Sequence, residues 1–118
     1  MDPVQIDELK SSYYEYIANV PQGLQIIANL LTNNEIAKAI ENIVNLAEGL
    51  EFLLQIEQVL LKEGLVINSQ INEANFIFNE MNESLINNDY ILLKDLIEYE
   101  LITLFSSASE WTFSNKEN

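Results

Sequence analysis

The chain of 118 residues contains no cysteine, no histidine and no arginine, and each absence removes a class of chemistry. Without cysteine it can form neither a disulfide bond nor a thiolate metal site, which suits a reducing cytoplasm. Without histidine, the common catalytic triads and the histidine-bearing zinc and di-iron sites are excluded. We therefore expect no cofactor, no metal site and no enzymatic activity of these kinds.

Positive charge is scarce, because five lysines stand against 19 acidic residues and give a net charge of −14. Binding to nucleic acids or to anionic membranes needs cations, so neither is expected as a partner. No apolar run reaches the roughly 18 residues of a membrane span, and the first residues lack the features of a signal peptide. These observations favour a cytoplasmic protein. A basic partner or a DNA-mimic role would suit the charge, although acidity can also simply maintain solubility.

Glycine and proline are also rare, at three and two residues, while 48% of the chain is apolar. The apolar spacing predicts an all-α fold without strands, as a single domain over residues 1–118. The predicted helices span about 4–31 with a kink at Pro21, 33–63, 67–86 and 90–113. They predict an antiparallel up-and-down bundle, spectrin-like with three arms, the last jointed at 87–89; a four-helix bundle is the alternative. The tail after Phe113 is predicted to fray.

The second predicted helix carries apolar residues at alternating spacings of four and three, which we call the heptad seam. Glu57 occupies a position within this seam where an apolar residue is expected. Gly49 lies in the middle of the helix at a cost of about 1 kcal/mol relative to alanine, so it is predicted to allow another helix to approach closely. The seam consists of Ile36, Ile40, Ile43, Ala47, Leu50, Leu54 and Leu61.

The fourth predicted helix begins at Asp89, whose carboxylate can cap the first free N–H groups. Glu100 falls near the middle of its apolar face and must be paired, protonated or hydrated. The candidate buried polar residues are therefore Glu57, Glu100 and Tyr99, with hydrogen bonds from tyrosine hydroxyls (Tyr13, Tyr16 or Tyr99) or from lysines as the structural explanation. A wet crevice or an interface is the alternative. The apolar face comprises Leu92, Leu93, Leu96, Ile97, Leu104, Ala108 and Trp111.

A second group of apolar residues points away from the predicted core. Phe52, Ile56 and Val59 lie opposite the heptad seam, and Phe76 and Tyr14 also leave their stripes. A contiguous exposed apolar patch usually marks an interaction site, although an irregular bundle or a homodimer could bury it. The favoured hypothesis is a non-enzymatic module that binds a protein partner or itself. A carboxylate-based enzyme or cation-binding protein that uses Glu57 and Glu100 is an alternative.

Two blocks of the sequence are distinctive, namely Glu48-Gly49-Leu50-Glu51-Phe52-Leu53 and residues 88–101. These blocks, within a similarity over roughly residues 20–105, resemble a family of small, uncharacterised all-helical proteins of Clostridium and other Bacillota. The resemblance implies a cytoplasmic bacterial protein with a spectrin-like or similar bundle, and it implies no activity. A looser likeness, at the level of the fold, to acidic helical chaperones of flagellar or other secretion systems suggests an adaptor function as a further alternative. The positions to test first would be Glu48, Gly49, Asp89, Tyr90, Asp95, Glu98, Tyr99 and Glu100.

Overall fold

Helices account for most of the chain in the computed structural model, which describes residues 1–116. The helical elements are α1 (Pro3–Thr32), α2 (Ile36–Lys62), α3 (Ile71–Ile86), α4 (Tyr90–Asp95), a π-helical segment (Leu96–Leu101) and α5 (Ile102–Ser106). A 3₁₀ turn (Ala108–Glu110) follows, and the two short strands are β1 (Leu65–Ile67) and β2 (Phe113–Asn115). We call the continuous helical stretch over residues 90–106 the fourth arm.

The arms pack side by side in an elongated bundle of 48 × 23 × 21 Å. Helix α1 packs along α2 on one side and against the fourth arm on the other, while α3 packs mainly against the fourth arm. The prediction of an all-α antiparallel bundle is confirmed. Because α3 packs against the arm that follows it, the chain reverses fully at 87–89, and the described residues form the four-helix alternative rather than three arms with a joint.

Local signals set the beginnings of two arms, and the cap at Asp89 is as predicted. The Asp2 side chain accepts a hydrogen bond from the Gln5 N–H at 2.9 Å, and the Gln5 side-chain oxygen accepts one from the Asp2 N–H at 3.1 Å. Pro3 occupies the first helical position. Asp89 caps α4 by accepting a hydrogen bond from the Leu92 N–H at 3.1 Å. Helix α1 then continues through Pro21 without a break, and its buried residues are Tyr13, Ile17, Val20, Leu24, Ile27, Ala28 and Leu31.

The buried face of α2 is rotated about the helix axis by about one residue relative to the predicted seam. Ile40, Ala47 and Leu61 are exposed, so their assignment to the core is wrong. Apolar residues cover more than half of this helix, and the sequence pattern alone does not decide which of them the neighbouring arms cover. The buried residues are Ala39, Ile43, Leu46, Leu50, Leu53, Ile56 and Leu60.

The π-helical segment changes which residues of the fourth arm face the core. A π turn contains one more residue than an α turn, so each residue advances by a smaller angle. Ile97 and Leu101 are therefore both fully buried, and Glu100 between them is exposed. Leu92, predicted to be buried, is 45% exposed in the first turn of the arm. No helix among the described residues combines the length and the apolar character that crossing a membrane requires.

The two short strands were not predicted, and they correct the beginning of the third predicted helix and the prediction for the end of the chain. Strand β1 pairs antiparallel with β2, with Val66 opposite Ser114, so α3 begins at residue 71 rather than 67. The Lys116 N–H also donates a hydrogen bond to the Gly64 carbonyl at 2.7 Å. The prediction that the tail frays after Phe113 is therefore wrong through residue 116, and residues 117–118 lie outside the described part.

Candidate functional site

A groove of about 680 Å³ runs between α1 and the end of the fourth arm. Its floor is apolar and buried, its sides are formed by half-buried rings, and its rim consists of small exposed side chains. The next grooves in the described part of the chain are smaller, at about 210 to 230 Å³. The floor consists of Ile17, Phe105, Ala108 and Trp111, the sides of Tyr14 and Pro21, and the rim of Ala18, Ser106, Ser109 and Thr112.

The local sequence explains why this space is not filled. Helix α5 ends at Ser106, and the four consecutive small residues at 106–109 carry the chain into the 3₁₀ turn. The rings of Phe105 and Trp111 lie on either side of this run, with centroids 5.7 Å apart at a tilt of 54°. Two large rings separated by small residues leave volume above the floor, because serine and alanine cannot fill it.

The groove is electrically neutral in a strongly acidic protein. Among residues 1–116, no charged side chain lines it, although Glu15 and Glu110 are exposed immediately beside lining residues in the sequence. The polar groups within it are hydroxyls and they are partly engaged: the Tyr14 oxygen accepts a hydrogen bond from the Phe113 N–H at 3.2 Å, and the Ser106 hydroxyl donates to the Ile102 carbonyl at 2.6 Å. The site is therefore suited to apolar surface rather than to an anion.

The wall of the groove at Trp111 and Thr112 is held by what we call the clasp, which comprises β1, β2 and Thr112. The Thr112 N–H donates a hydrogen bond to Asn68 Oδ1 at 2.8 Å. The Phe113 ring then packs edge-on against Tyr13 and Tyr14, with centroid distances of 5.1 and 6.0 Å. These contacts fix the chain after the last helical turn, so the groove depends on a non-helical segment as well as on two helices.

A buried tyrosine and a half-buried carboxylate meet at the base of the same ring cluster. The Tyr13 hydroxyl donates a hydrogen bond of 2.5 Å to Glu57 Oε2, and Tyr13 is fully buried. Burial, followed by the hydrogen bond to the Glu57 carboxylate, raises the pKa of Tyr13 well above its ordinary value. Tyr13 is one of the donors that the sequence suggested for Glu57, and the pair joins α1 to α2 with the acid satisfied.

The raised pKa of Tyr13 gives a prediction for alkaline stability. Above the ordinary tyrosine pKa of about 10, the unfolded chain loses this proton while the folded chain keeps it. The free energy of unfolding should therefore be unaffected below that pH and fall above it, by up to about 1.4 kcal/mol per pH unit. Urea unfolding at several alkaline pH values would show this decline, and Tyr13→Phe should make it shallower.

The control for this experiment is Tyr99→Phe, because the Tyr99 side chain is 71% exposed. This variant should follow the wild-type stability profile as the pH rises. If Tyr13→Phe and wild type lose stability in parallel through the same alkaline range, the Tyr13–Glu57 contact does not carry the expected linkage. A parallel loss in all three proteins would assign alkaline unfolding to other groups.

The structure does not bring the candidate polar residues together. Glu100 and Tyr99 are both exposed on the fourth arm, so the prediction that they are buried is wrong, and the π turn is the physical reason. Glu57 instead borders a groove with Leu54, Val66 and other residues, and no groove described above is lined by both acids. Among the described residues, no group of three or more acidic side chains is arranged to hold a metal ion.

The predicted interaction surface on α2 is reduced by the structure. Ile56 is 3% exposed and belongs to the core, so its assignment to the surface is wrong. Phe52 and Val59 are partly exposed, at 44% and 37%, and Phe76 on α3 is 71% exposed. The Phe52 ring packs edge-on against Tyr16 at 6.4 Å, so part of this side is already covered by the protein itself. Phe52, Val59 and Phe76 are thus the exposed members of the predicted interaction surface.

The groove residues were not identified from the sequence as a site. From the sequence, Tyr14 stands out only because it leaves its apolar stripe, and Trp111 is predicted to lie in the core. The prediction for Trp111 is confirmed, because this residue forms part of the groove floor and is 4% exposed. One signal was available: the run Ser106-Ser107-Ala108-Ser109 between two large aromatic residues. Such a run predicts missing volume, but the missing volume becomes a groove only because α1 presents Ala18 and Pro21 opposite it.

The architecture defines a class: a small antiparallel four-helix protein with an apolar groove at one side and a short β clasp. The profile of a family described as a domain of unknown function, DUF8042, matches residues 8–110. Because this match covers most of the chain, including both arms of the groove, the protein belongs to the DUF8042 family. No curated protein and no solved structure is significantly similar to it.

Proposed function

We propose that the protein is a non-enzymatic module that binds another protein through the groove beside Trp111. The observation that supports this proposal is a 680 Å³ apolar, uncharged groove on a chain whose net charge is −14. Concave, largely apolar cavities of this volume, with a few polar groups in their lining, are characteristic of binding sites. The buried aromatic floor of the groove offers the kind of contact that dominates binding energy at protein interfaces.

The expected partner is a different protein rather than a second copy of this chain. Two copies would each bring a net charge of −14, and their mutual repulsion opposes association at ordinary ionic strength. A cytoplasmic location and a source among Clostridium and other Bacillota, which the sequence features and the family resemblance suggest, are parts of the same proposal. Phe52 and Val59 on α2 are the alternative surface through which the partner would bind if it does not use the groove.

The test compares two alanines that are both exposed on helices. Ala18 lies on the rim of the groove, whereas Ala37 lies in the first turn of α2 and does not line it. Lysine at either position makes the same change in net charge, and both variants should fold as the wild type does. Immobilised wild type, Ala18→Lys, Ala37→Lys and Phe52→Asp would be exposed to a lysate of the source cell, with bound proteins quantified by mass spectrometry.

We expect at least one protein whose capture falls about tenfold with Ala18→Lys and changes little with Ala37→Lys. Sedimentation velocity should show a monomer for all of the variants. Equal capture by Ala18→Lys and Ala37→Lys would contradict the groove, and a selective loss with Phe52→Asp would assign the interaction to α2. A wild-type dimer that Ala18→Lys dissociates would replace the foreign partner with self-association.

A further inference from the structure

Resting on the proposed function, we infer that the groove binds the apolar face of a positively charged amphipathic helix. This inference goes beyond the presence of a binding surface, because it commits to the secondary structure and to the charge of the segment that binds. Two properties of the groove carry it: the shape made by its small rim, and the sign of the charges around its neutral lining.

The shape of the groove favours a helix laid along it. One long side is helix α1, and the other is formed by the end of the fourth arm, the 3₁₀ turn and residues 111–112. The rim residues Ala18, Ser106 and Ser109 are small and exposed, so the backbone of a third helix can approach without displacing large side chains. Amphipathic helices bind such grooves by inserting apolar residues spaced three or four apart. The volume, within the range of about 300–1,000 Å³ usual for binding pockets, accommodates more than one such side chain.

The charge around the groove selects a cationic segment. The lining is neutral, so the apolar face of the segment meets no buried charge, and its polar face points toward the surrounding protein surface. The chain carries 19 acidic residues against five lysines, so the protein as a whole attracts lysine or arginine on the polar face of the segment. Glu15 and Glu110 are the charged residues directly next to lining residues in the sequence; among residues 1–116, the others within five positions of the lining are Glu100, Lys10 and Lys116.

Anionic amphiphiles are disfavoured by the same observations. In the part of the chain that the structure describes, neither a lysine nor another cation lines the groove to receive a carboxylate or a phosphate. A fatty acid or an acidic helix would have to hold its charge close to Glu15 or Glu110, at an electrostatic cost. A positively charged helix therefore uses both the apolar floor and the acidic surroundings, and an acidic helix uses the floor alone.

The experiment measures binding of three synthetic peptides of about 15 residues, long enough to form a helix on binding. The first has leucines on one helical face and lysines on the other, the second replaces every lysine by glutamate, and the third has the composition of the first in a scrambled order. None of the peptides contains an aromatic residue, so the emission of Trp111, the single tryptophan in the chain, reports occupation of the groove directly. Calorimetry gives the dissociation constants independently.

We expect the leucine–lysine peptide to bind at least about tenfold more tightly than the other two and to shift the Trp111 emission. Its affinity should fall about tenfold with Ala18→Lys, change by no more than about twofold with Ala37→Lys, and weaken as salt increases. Circular dichroism of both variants would establish that they are folded.

Three results would overturn the inference. If the scrambled peptide binds equally well, the attraction is only the general charge of the protein; if the acidic peptide binds equally well, charge plays no part. Equal effects of Ala18→Lys and Ala37→Lys would place the peptide outside the groove. None of these results touches the proposed function if a natural partner still distinguishes Ala18→Lys from Ala37→Lys in the capture experiment, so the two failures can be told apart.

Discussion

Replacing Gly49 by alanine is expected to destabilise the protein, although alanine is the better helix former by about 1 kcal/mol. A methyl group added at Gly49 would overlap Oη and Cζ of Tyr16 and lie 2.9 Å from its Cε1. The half-buried ring of Tyr16, a residue of α1, would have to leave its position against α2, where it also contacts Phe52. We expect a net loss of about 1–3 kcal/mol in the free energy of unfolding, measured by urea unfolding and far-UV circular dichroism.

The sign of this effect should reverse when Tyr16 is absent. In a Tyr16→Ala background the obstacle is gone, and Gly49→Ala should then stabilise the helix by about 0.5–1 kcal/mol. Gly23→Ala is the matched control, because Gly23 also lies within a helix but an added methyl group there meets no atom within 4 Å. It should give a similar gain in the wild type. A loss at Gly49 that persists unchanged without Tyr16 would show that the ring is not its cause.

Replacing Phe113 by alanine should both destabilise the protein and open the groove. The Phe113 ring packs against Tyr13 and Tyr14, and its N–H donates a hydrogen bond to the Tyr14 oxygen. Because the ring is half-buried, we expect a loss of about 2 kcal/mol, below the range for a fully buried phenylalanine. Trp111 is 4% exposed in the wild type, and in the variant its emission should shift to longer wavelength as water reaches it.

Ser114→Ala provides the control for this change. Ser114 is exposed and lies opposite Val66 in the same short sheet, so its substitution keeps the strand and removes no packed ring. Its effect on stability should stay within about 0.5 kcal/mol. If Phe113→Ala unfolds at the same urea concentration as Ser114→Ala and leaves the Trp111 emission unchanged, the clasp does not support the groove.

The parts of the fold that were predictable depend on interactions between residues close together in the sequence. The Asp2–Gln5 capping box, the Asp89 cap and the apolar stripe of α1 all follow from groups within a few positions of one another. Gly49 belongs with them in one respect, because a glycine inside a helix costs stability and so implies a close neighbour. The identity of that neighbour, Tyr16 on another helix, required the structure.

The parts of the fold that were not predictable are those in which the same residues allow two local arrangements of similar free energy. On α2, rotating the buried face by one residue keeps it apolar, and only the packing of α1 and α3 decides that Ile56 is inside and Ile40 at the surface. On the fourth arm, a regular α-helix brings Glu100 toward the core and a π turn brings Leu101 there instead. Burial of Leu101 and hydration of Glu100 both favour the π turn. The apolar periodicity could not predict this turn, because it assumes the same number of residues in every helical turn.

The groove was beyond the reach of sequence patterns for a different reason. It is a space between elements, and its floor combines Ile17 from α1 with Phe105 and Trp111 from the other end of the chain. Each of these residues looks like ordinary core when its own helix is considered. The missing volume becomes visible only when the small residues at 106–109 are placed against Ala18.

The pairing of β1 with β2 also has a consequence for how the chain folds. Its partners, such as residues 65 and 115, are far apart in sequence, so joining them costs more loop-closure entropy than forming the α1–α2 hairpin. Pairings between distant residues slow folding, and short, partly exposed segments open locally when the native state fluctuates. We therefore expect the edge of the groove at Trp111 to form late in folding, and ligand occupancy there should slow amide exchange at Val66 and Ser114, which form a hydrogen-bonded pair of the antiparallel ladder.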